Sequence, residues 1–263
     1  MDFTLKCILA FFAFWLGGIF ASFMGVVAYR VPKKQSIVKP DSYCPNCNKN
    51  VAWYDNIPIV SYIVLGGKCR HCKSPIGGHC FATELLCSVA FALSFWQYEI
   101  SWHTLILWLC FTLFVVIAYI DWESHDIYNV TLLLFGVIAV ATCVYNVLVY
   151  GYSVWTYVIG LVIGVVFFGG VKLGAWLILK KDALGTGDVY LVAIAGLMLG
   201  AVPLLLAVVV ATLVGSVVEV IRTKVSKLEE GREVAFGPYL ILGFAVMAIY
   251  GQAIVDWYTK VVL

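Results

Sequence analysis

Charge is scarce in this chain. Lysine and arginine total 17 and aspartate and glutamate 15 among 263 residues, so 12% of positions are charged, where soluble domains carry about a quarter. That scarcity excludes a large soluble core as the main body of the molecule. The net charge of +2 comes with no basic stripe interleaved with aromatics, which argues against a nucleic-acid partner. Internal repeats and low-complexity tracts are absent from the sequence, and so are a Ser-His-Asp set, an HExxH helix and a GxGxxG behind a strand. Hydrocarbon is what abounds: 63% of residues are hydrophobic and the mean hydropathy is +0.97. The fold class expected is an all-α polytopic membrane protein.

A hydrocarbon core about 30 Å thick needs roughly 20 apolar residues of helix. Residues 7–29, between Lys6 and Arg30, give the first span. It is longer than a signal-peptide core and no small-residue cleavage site follows, so it is expected to be retained. Residues 81–98 give a second span with Glu84 in its first turn, and residues 104–120 a third. Residues 127–171 are uncharged and broken by Gly151-Tyr152-Ser153, which makes two spans. Residues 189–218 are too long for one straight crossing, and Gly200-Ala201-Val202-Pro203 divides them into a short helix and a longer one. Residues 234–255 complete about eight transmembrane helices.

Alternating these spans puts 14 of the 17 lysines and arginines on one side, Lys181, Lys227 and Arg232 among them. Lys6 and Lys260 fall opposite, and Lys172 lies inside a span. The positive-inside rule makes the crowded side cytoplasmic. Three regions follow: residues 1–29 as the first helix, 30–80 as a small cytoplasmic loop domain, and 81–263 as a multi-helix membrane domain. Trp102 and His103 read as an interfacial anchor on the far side.

Two acidic residues stand at the edges of apolar runs. Asp188 closes Gly185-Thr186-Gly187-Asp188 and precedes 30 uncharged residues. Asp121 directly follows 17 uncharged residues and lies 67 positions earlier. A carboxylate at the mouth of a hydrocarbon segment is costly to ionise and is a functional-site candidate by default. Asp121 and Asp188 can share one site if their helices pack. Asp126, Glu123 and Asp182 read as solvated loop charges instead. Glu84, with only 14 uncharged residues before Glu99, needs a partner near the headgroups and suits a supporting polar role beside the site.

The loop domain carries Cys44-Pro45-Asn46-Cys47 and Cys69-Arg70-His71-Cys72, two CxxC pairs with 21 residues between them. Each pair offers two thiolates on a tight turn, and two such turns close a tetrahedral zinc-ribbon-like site. Disulfides or redox thiols are the alternative, disfavoured in a reducing cytoplasm. His71 and His79 are expected to stand aside because Cys44, Cys47, Cys69 and Cys72 already fill the shell. Cys80 is a spare thiol, and Cys7, Cys87, Cys110 and Cys143 read as packing residues within spans.

Taken in order, these segments resemble the type IV prepilin peptidases, a family of GxGD aspartyl proteases. The resemblance runs through Ala21-Ser22-Phe23-Met24-Gly25 up to Arg30-Val31-Pro32, Trp53-Tyr54-Asp55-Asn56-Ile57-Pro58, Gly67-Lys68-Cys69 and Glu84-Leu85-Leu86. It continues through Asp121 with Asn129, Gly185-Thr186-Gly187-Asp188 and Phe236-Gly237-Pro238-Tyr239, covering nearly the whole chain. Two departures stand out: Gly25 where the family usually has asparagine, and Ile127-Tyr128-Asn129 where it usually has Leu-Pro before the final Asp or Asn. The resemblance implies an enzyme of the bacterial inner membrane that removes the basic leader of a prepilin or pseudopilin after glycine. It also implies N-methylation of the new terminus by S-adenosylmethionine, an activity associated with the cysteine-bearing loop including Gly67 and Lys68.

Two-carboxylate hydrolysis needs one group ionised, to take a proton from water, and one protonated, to donate to the scissile carbonyl. Close like charges and desolvation favour such a singly protonated pair. Gly185 and Gly187 let backbone or substrate come close to Asp188. Rival classes are a transporter, which would show inverted repeats and midplane charges, and a zinc-thiolate or redox scaffold with no catalytic aspartates.

Overall fold

The computed structural model describes residues 1–180, 185–226 and 235–262. Lys181, Asp182, Lys227, Arg232 and Val234, the last opening the final expected span, lie outside the described residues. Those described form ten α-helices and no sheet. They are α1 (Phe3–Arg30), α2 (Val60–Val64), α3 (Gly78–Tyr98), α4 (Trp102–Ser124) and α5 (Asn129–Tyr150), then α6 (Val154–Ile163), α7 (Gly169–Leu179), α8 (Thr186–Leu199), α9 (Ala201–Ser226) and α10 (Gly237–Val262).

Among the described residues seven helical stretches are long and apolar enough to cross a bilayer, counting α6 and α7 as one. The chain is a multi-pass membrane protein. The eighth expected crossing, α8, has 14 residues, about 21 Å of helix, and falls short of the hydrocarbon thickness. The breaks come where backbone chemistry requires them. Gly151 ends α5 in the left-handed conformation at φ +70°, and Gly200 separates α8 from α9 at φ +87°. Pro203 sits in the first turn of α9, where its missing N–H has no helical partner to lose. A π-helical stretch, Gly164–Phe168, joins α6 to α7. Lys172 lies within α7, as expected.

One boundary and two placements differ from the sequence reading. Asp121 is not in a loop, because α4 continues through it to Ser124. His103 is buried against Tyr98, with ring centroids 4.4 Å apart, while Trp102 is exposed. Cys87, Cys110 and Cys143 are buried, but Cys7 is not.

The chain divides into two compact units, Met1–Thr104 with Phe111–Tyr119, and Leu105–Cys110 with Ile120–Leu263. In lipid, apolar side chains gain little by leaving the hydrocarbon, so helices associate through small residues and close backbones. The first unit shows this where Gly17 and Gly18 of α1 meet Cys87 and Ser88 of α3; a Cβ on either glycine would come within 2.9 Å of α3 atoms. In the second unit Gly160 and Gly164 face Ala193, Gly196 and Gly200. A Cβ on Gly160 would strike the Gly196 carbonyl, and one on Gly196 the Gly160 carbonyl. Gly243 of α10 likewise admits the Ala207 carbonyl of α9.

Between α1 and α3 the first unit holds two matching turns. Tyr43 bridges Asn50 and Lys68 bridges Pro75. Cys44 N–H donates to the Lys49 carbonyl at 3.0 Å, and Cys69 N–H to the Ser74 carbonyl at 2.8 Å. Asn48 and Lys73, each just after the second cysteine of its pair, turn left-handed at φ +55° and +59°. Each position of the first turn thus has a counterpart in the second at one constant offset, a structural repeat in a chain whose sequence shows none.

Candidate active site and four-thiol cluster

The four expected thiols converge. Sγ atoms of Cys44, Cys47, Cys69 and Cys72 all lie within 4.8 Å of one another, and those of Cys44 and Cys72 are 3.8 Å apart. A tetrahedron of about 2.3 Å Zn–S bonds places sulfurs roughly 3.8 Å from each other, so the donor set and its spacing fit zinc. The surroundings favour thiolates at two positions. The Ser74 hydroxyl, 3.0 Å from Cys72 Sγ, leads the contacts that hold that thiol at about 6. The Cys47 backbone N–H leads those that lower Cys44. Thiolate is the form that binds metal. His79 packs edge-on to Tyr119 instead, with centroids 5.0 Å apart.

Gly67 and Lys68 open the second turn. Gly67 is left-handed at φ +67°, its N–H donates to the Tyr62 carbonyl at 2.9 Å, and a Cβ there would lie 2.9 Å from Tyr62 Oη. Glycine is therefore required by backbone geometry. Glu84 accepts the Ile59 N–H at 2.8 Å and thereby fastens the loop to α3. These residues belong to the first unit; the two aspartates and their glycines belong to the second.

In the second unit Asp121 occupies the last turn of α4 and is 5% exposed. The N–H of Gly237, first residue of α10, donates to Asp121 Oδ2 at 3.0 Å. A helix N-terminus is a natural seat for a carboxylate, since its first N–H groups are unpaired and its dipole end is positive. Just beyond, His125 turns left-handed at φ +54°. Its ring Nδ1 is 3.1 Å from the Asp121 carbonyl oxygen and must donate, because a carbonyl only accepts.

Asp188 occupies the first turn of α8, behind Gly185 as the N-cap. Its Oδ1 is buried and has no hydrogen-bond partner among the described residues. Gly187 brings it there: a Cβ at Gly187 would fall 2.9 Å from Ile127 Cβ, so α8 starts directly on the link between α4 and α5. A Cβ at Gly185 would meet Asp188 Oδ2 at 3.3 Å. Both the Asp121 carboxylate and the half-buried Lys172 ammonium act electrostatically on Asp188. The structure thus brings Asp121, Asp188, Gly185 and Gly187 to one end of the second unit.

A polar bracket beside Asp121 was not foreseen. Tyr239 Oη donates to Glu219 Oε1 at 2.6 Å, and Arg222 Nη1 donates to the same oxygen at 2.6 Å. The Arg222 guanidinium lies 4.5 Å from the centroid of Trp122, the neighbour of Asp121. The bracket fixes the start of α10, and with it the Gly237 donor. One signal for it is visible in sequence: Glu219 is the first charge after the long apolar run.

Two sheltered carboxylates thus sit at helix ends in the second unit of a multi-pass protein, Asp121 in the last turn of α4 and Asp188 in the first turn of α8. Residues 15–98 match the profile described as the Bacterial Peptidase A24 N-terminal domain, and residues 107–220 that of the Type IV leader peptidase family. The chain is 30% identical over 252 residues to the prepilin leader peptidase/N-methyltransferase of Neisseria gonorrhoeae, covering 86% of this chain and 85% of that one. It is 28% identical over 271 residues to the protein so named from Pseudomonas aeruginosa, covering 93% and 91%. A third so named, from Myxococcus xanthus, is 32% identical over 212 residues, covering 81% of this chain and 62% of that protein. No solved structure matches the chain. The chain belongs to the type IV leader peptidase family.

Proposed function

We propose that Asp121 and Asp188 are the catalytic pair of an endopeptidase that removes the basic leader of a prepilin or pseudopilin after glycine. The observation that carries this reading is the electrostatic coupling of Asp188, at the start of α8, to Asp121, at the end of α4, with an Asp121 oxygen bound by the Gly237 N–H and an Asp188 oxygen buried without a partner among the described residues. One carboxylate, ionised, takes a proton from water as its oxygen adds to the scissile carbonyl; the other, protonated, donates to the carbonyl oxygen. The C–N bond of the tetrahedral species then breaks, and the proton taken from water passes to the leaving amine. Gly185 leaves room beside Asp188 for the substrate backbone, while Gly187 admits Ile127 and so seats the start of α8.

The basic residues crowd the loops on the side of the aspartates and the thiols, which supports a cytoplasm-facing site in the bacterial inner membrane. A prepilin lying in the bilayer then presents its leader on that side. Cys44, Cys47, Cys69 and Cys72 would hold zinc, which when bound supplies a fixed crosslink between the two turns. The proposal extends to N-methylation of the new terminus, supported by the relatives' names and by Gly67 and Lys68. S-adenosylmethionine supplies an electrophilic methyl group when bound. The division of labour follows: residues 30–80 as the cysteine-bearing module, 81–263 as the peptidase body behind the first helix, 1–29.

The test uses membranes carrying wild type, Asp121→Asn or Asp188→Asn, incubated with a prepilin. Leader removal is expected to vanish in both variants while each remains inserted at normal abundance. Cleavage surviving either substitution would exclude the paired mechanism.

A further inference from the structure

Between Asp55 and Lys68 the chain carries no charge, over residues 56–67. A stretch this short cannot span a bilayer and suits a re-entrant or interfacial segment. Its packing is deep. A Cβ on Gly18 of α1 would lie 3.3 Å from Pro58 Cβ. Gly18 stands midway between Lys6 and Arg30, the charges that bound the apolar run of α1. The same Cβ would lie 2.9 Å from Ser88 Oγ, and Ser88 is the middle residue of α3. At about 1.5 Å per residue, Pro58 touches α1 about 18 Å along the helix from Arg30.

Backbone at such depth survives only where its polar groups are met inside the protein. Here they are. Ile59, left-handed at φ +64° although β-branched, aims its N–H at Glu84 Oε2, 2.8 Å away. Ile57 N–H donates to Ser61 Oγ at 3.0 Å, and that hydroxyl donates to the Tyr54 carbonyl at 3.1 Å. Pro58 has no N–H to satisfy. Tyr62 stacks on Phe81 of α3 with centroids 4.8 Å apart. The inner face, Ile59 and Ser61, is buried, while Ile63 is 64% and Val64 72% exposed. Trp53 and Tyr54 are exposed at the start of the segment, a position suited to headgroup-level aromatics.

We infer that residues 56–67 are a re-entrant membrane segment, wedged against α1 and α3, whose outer face at Val60, Ile63 and Val64 lies against lipid acyl chains. The occupant of that face is hydrocarbon rather than another protein, because the helices it packs on are themselves bilayer-spanning and it meets them at mid-length. The cysteine cluster is thereby moored to the bilayer surface. Cys69 closely follows Gly67, and Arg70 clamps Asp55, at the other end of the segment, through bonds of 2.7 and 2.6 Å. The inference stands independently of the proposed activity.

The experiment reconstitutes the whole protein in phosphatidylcholine vesicles whose acyl chains carry a diazirine, irradiates them and maps lipid adducts by mass spectrometry. A parallel sample is footprinted with hydroxyl radicals in the aqueous phase. Adducts at residues 60–64 are expected at yields comparable to exposed Phe11 and Phe12 of α1, with none at residues 42–50. Radicals should oxidise Tyr43 and spare residues 60–64. Oxidation of residues 60–64 on a par with Tyr43, without acyl adducts, would place the segment in water and overturn the inference.

Discussion

Replacing Gly237 by alanine offers a sharp probe of the aspartate pair. A Cβ on Gly237 would lie 2.7 Å from Asp121 Oδ2 and 3.0 Å from Asp121 Cγ, closer than such atoms approach. The atom in the way is the far end of a side chain, so the carboxylate yields and α10 need not move. Its bond from the Gly237 N–H, 3.0 Å long, is then lost or bent. A hydrogen bond to a charged group contributes about 1.5–3 kcal/mol, and a tenfold rate change is about 1.36 kcal/mol. The expected fall in kcat for leader cleavage is thus roughly 10- to 150-fold, read from prepilin conversion in proteoliposomes at saturating substrate. Gly185→Ala, whose Cβ would stand 3.3 Å from Asp188 Oδ2, should cost less. Gly136→Ala in α5 meets nothing within 4 Å and serves as the neutral control. Wild-type kcat in Gly237→Ala, with the protein inserted normally, would refute the role assigned to that N–H.

Other expectations concern the scaffold. Gly196→Ala drives a Cβ into the Gly160 carbonyl, and overpacking of this kind costs about 1–3 kcal/mol; thermal unfolding in detergent should fall accordingly, while zinc content is unchanged. Glu84→Ala removes the acceptor of the Ile59 N–H, at about 1–3 kcal/mol, so limited proteolysis of residues 30–80 should accelerate, and Glu84→Gln, which keeps an acceptor, should restore most of the protection. The Arg70 guanidinium holds the Asp55 carboxyl below its ordinary range. A lowered folded value means the stabilisation is complete above the unfolded value, about 3.9, and is lost as pH falls through the folded one. An NMR titration of Asp55 should show this, and Arg70→Gln should return it to the ordinary value; an unchanged titration would mean the clamp does not form in solution.

How far the sequence carries the reading depends on whether a signal is local. Asp121 and Asp188 are legible because a charge beside an apolar run is conspicuous on its own. The break at Gly200 and the four cysteines are legible for the same reason. Gly237 as a donor to Asp121 is not, since the two lie 116 positions apart and only the fold joins them. The extension of α4 through Asp121 escapes a hydropathy reading because the helix outlasts the apolar run. The repeat of the two cysteine turns escapes too: what recurs is backbone conformation, with Asn48 answering Lys73 and Lys49 answering Ser74. The depth of residues 56–67 is hidden by their flanking charges, which make residues 30–80 read as one aqueous loop.

The contact of Gly160 and Gly164 with α8 limits which parts of the second unit can move. With backbone against backbone, α8 can neither slide along α6 nor turn about its own axis without collision. Asp188, in the first turn of α8, is seated with it. On the other side Gly243 of α10 admits the Ala207 carbonyl of α9, so α10 is seated backbone against backbone in the same way. Within that frame the Asp121 carboxylate meets the Gly237 N–H, and the bracket of Tyr239, Glu219 and Arg222 stands beside it.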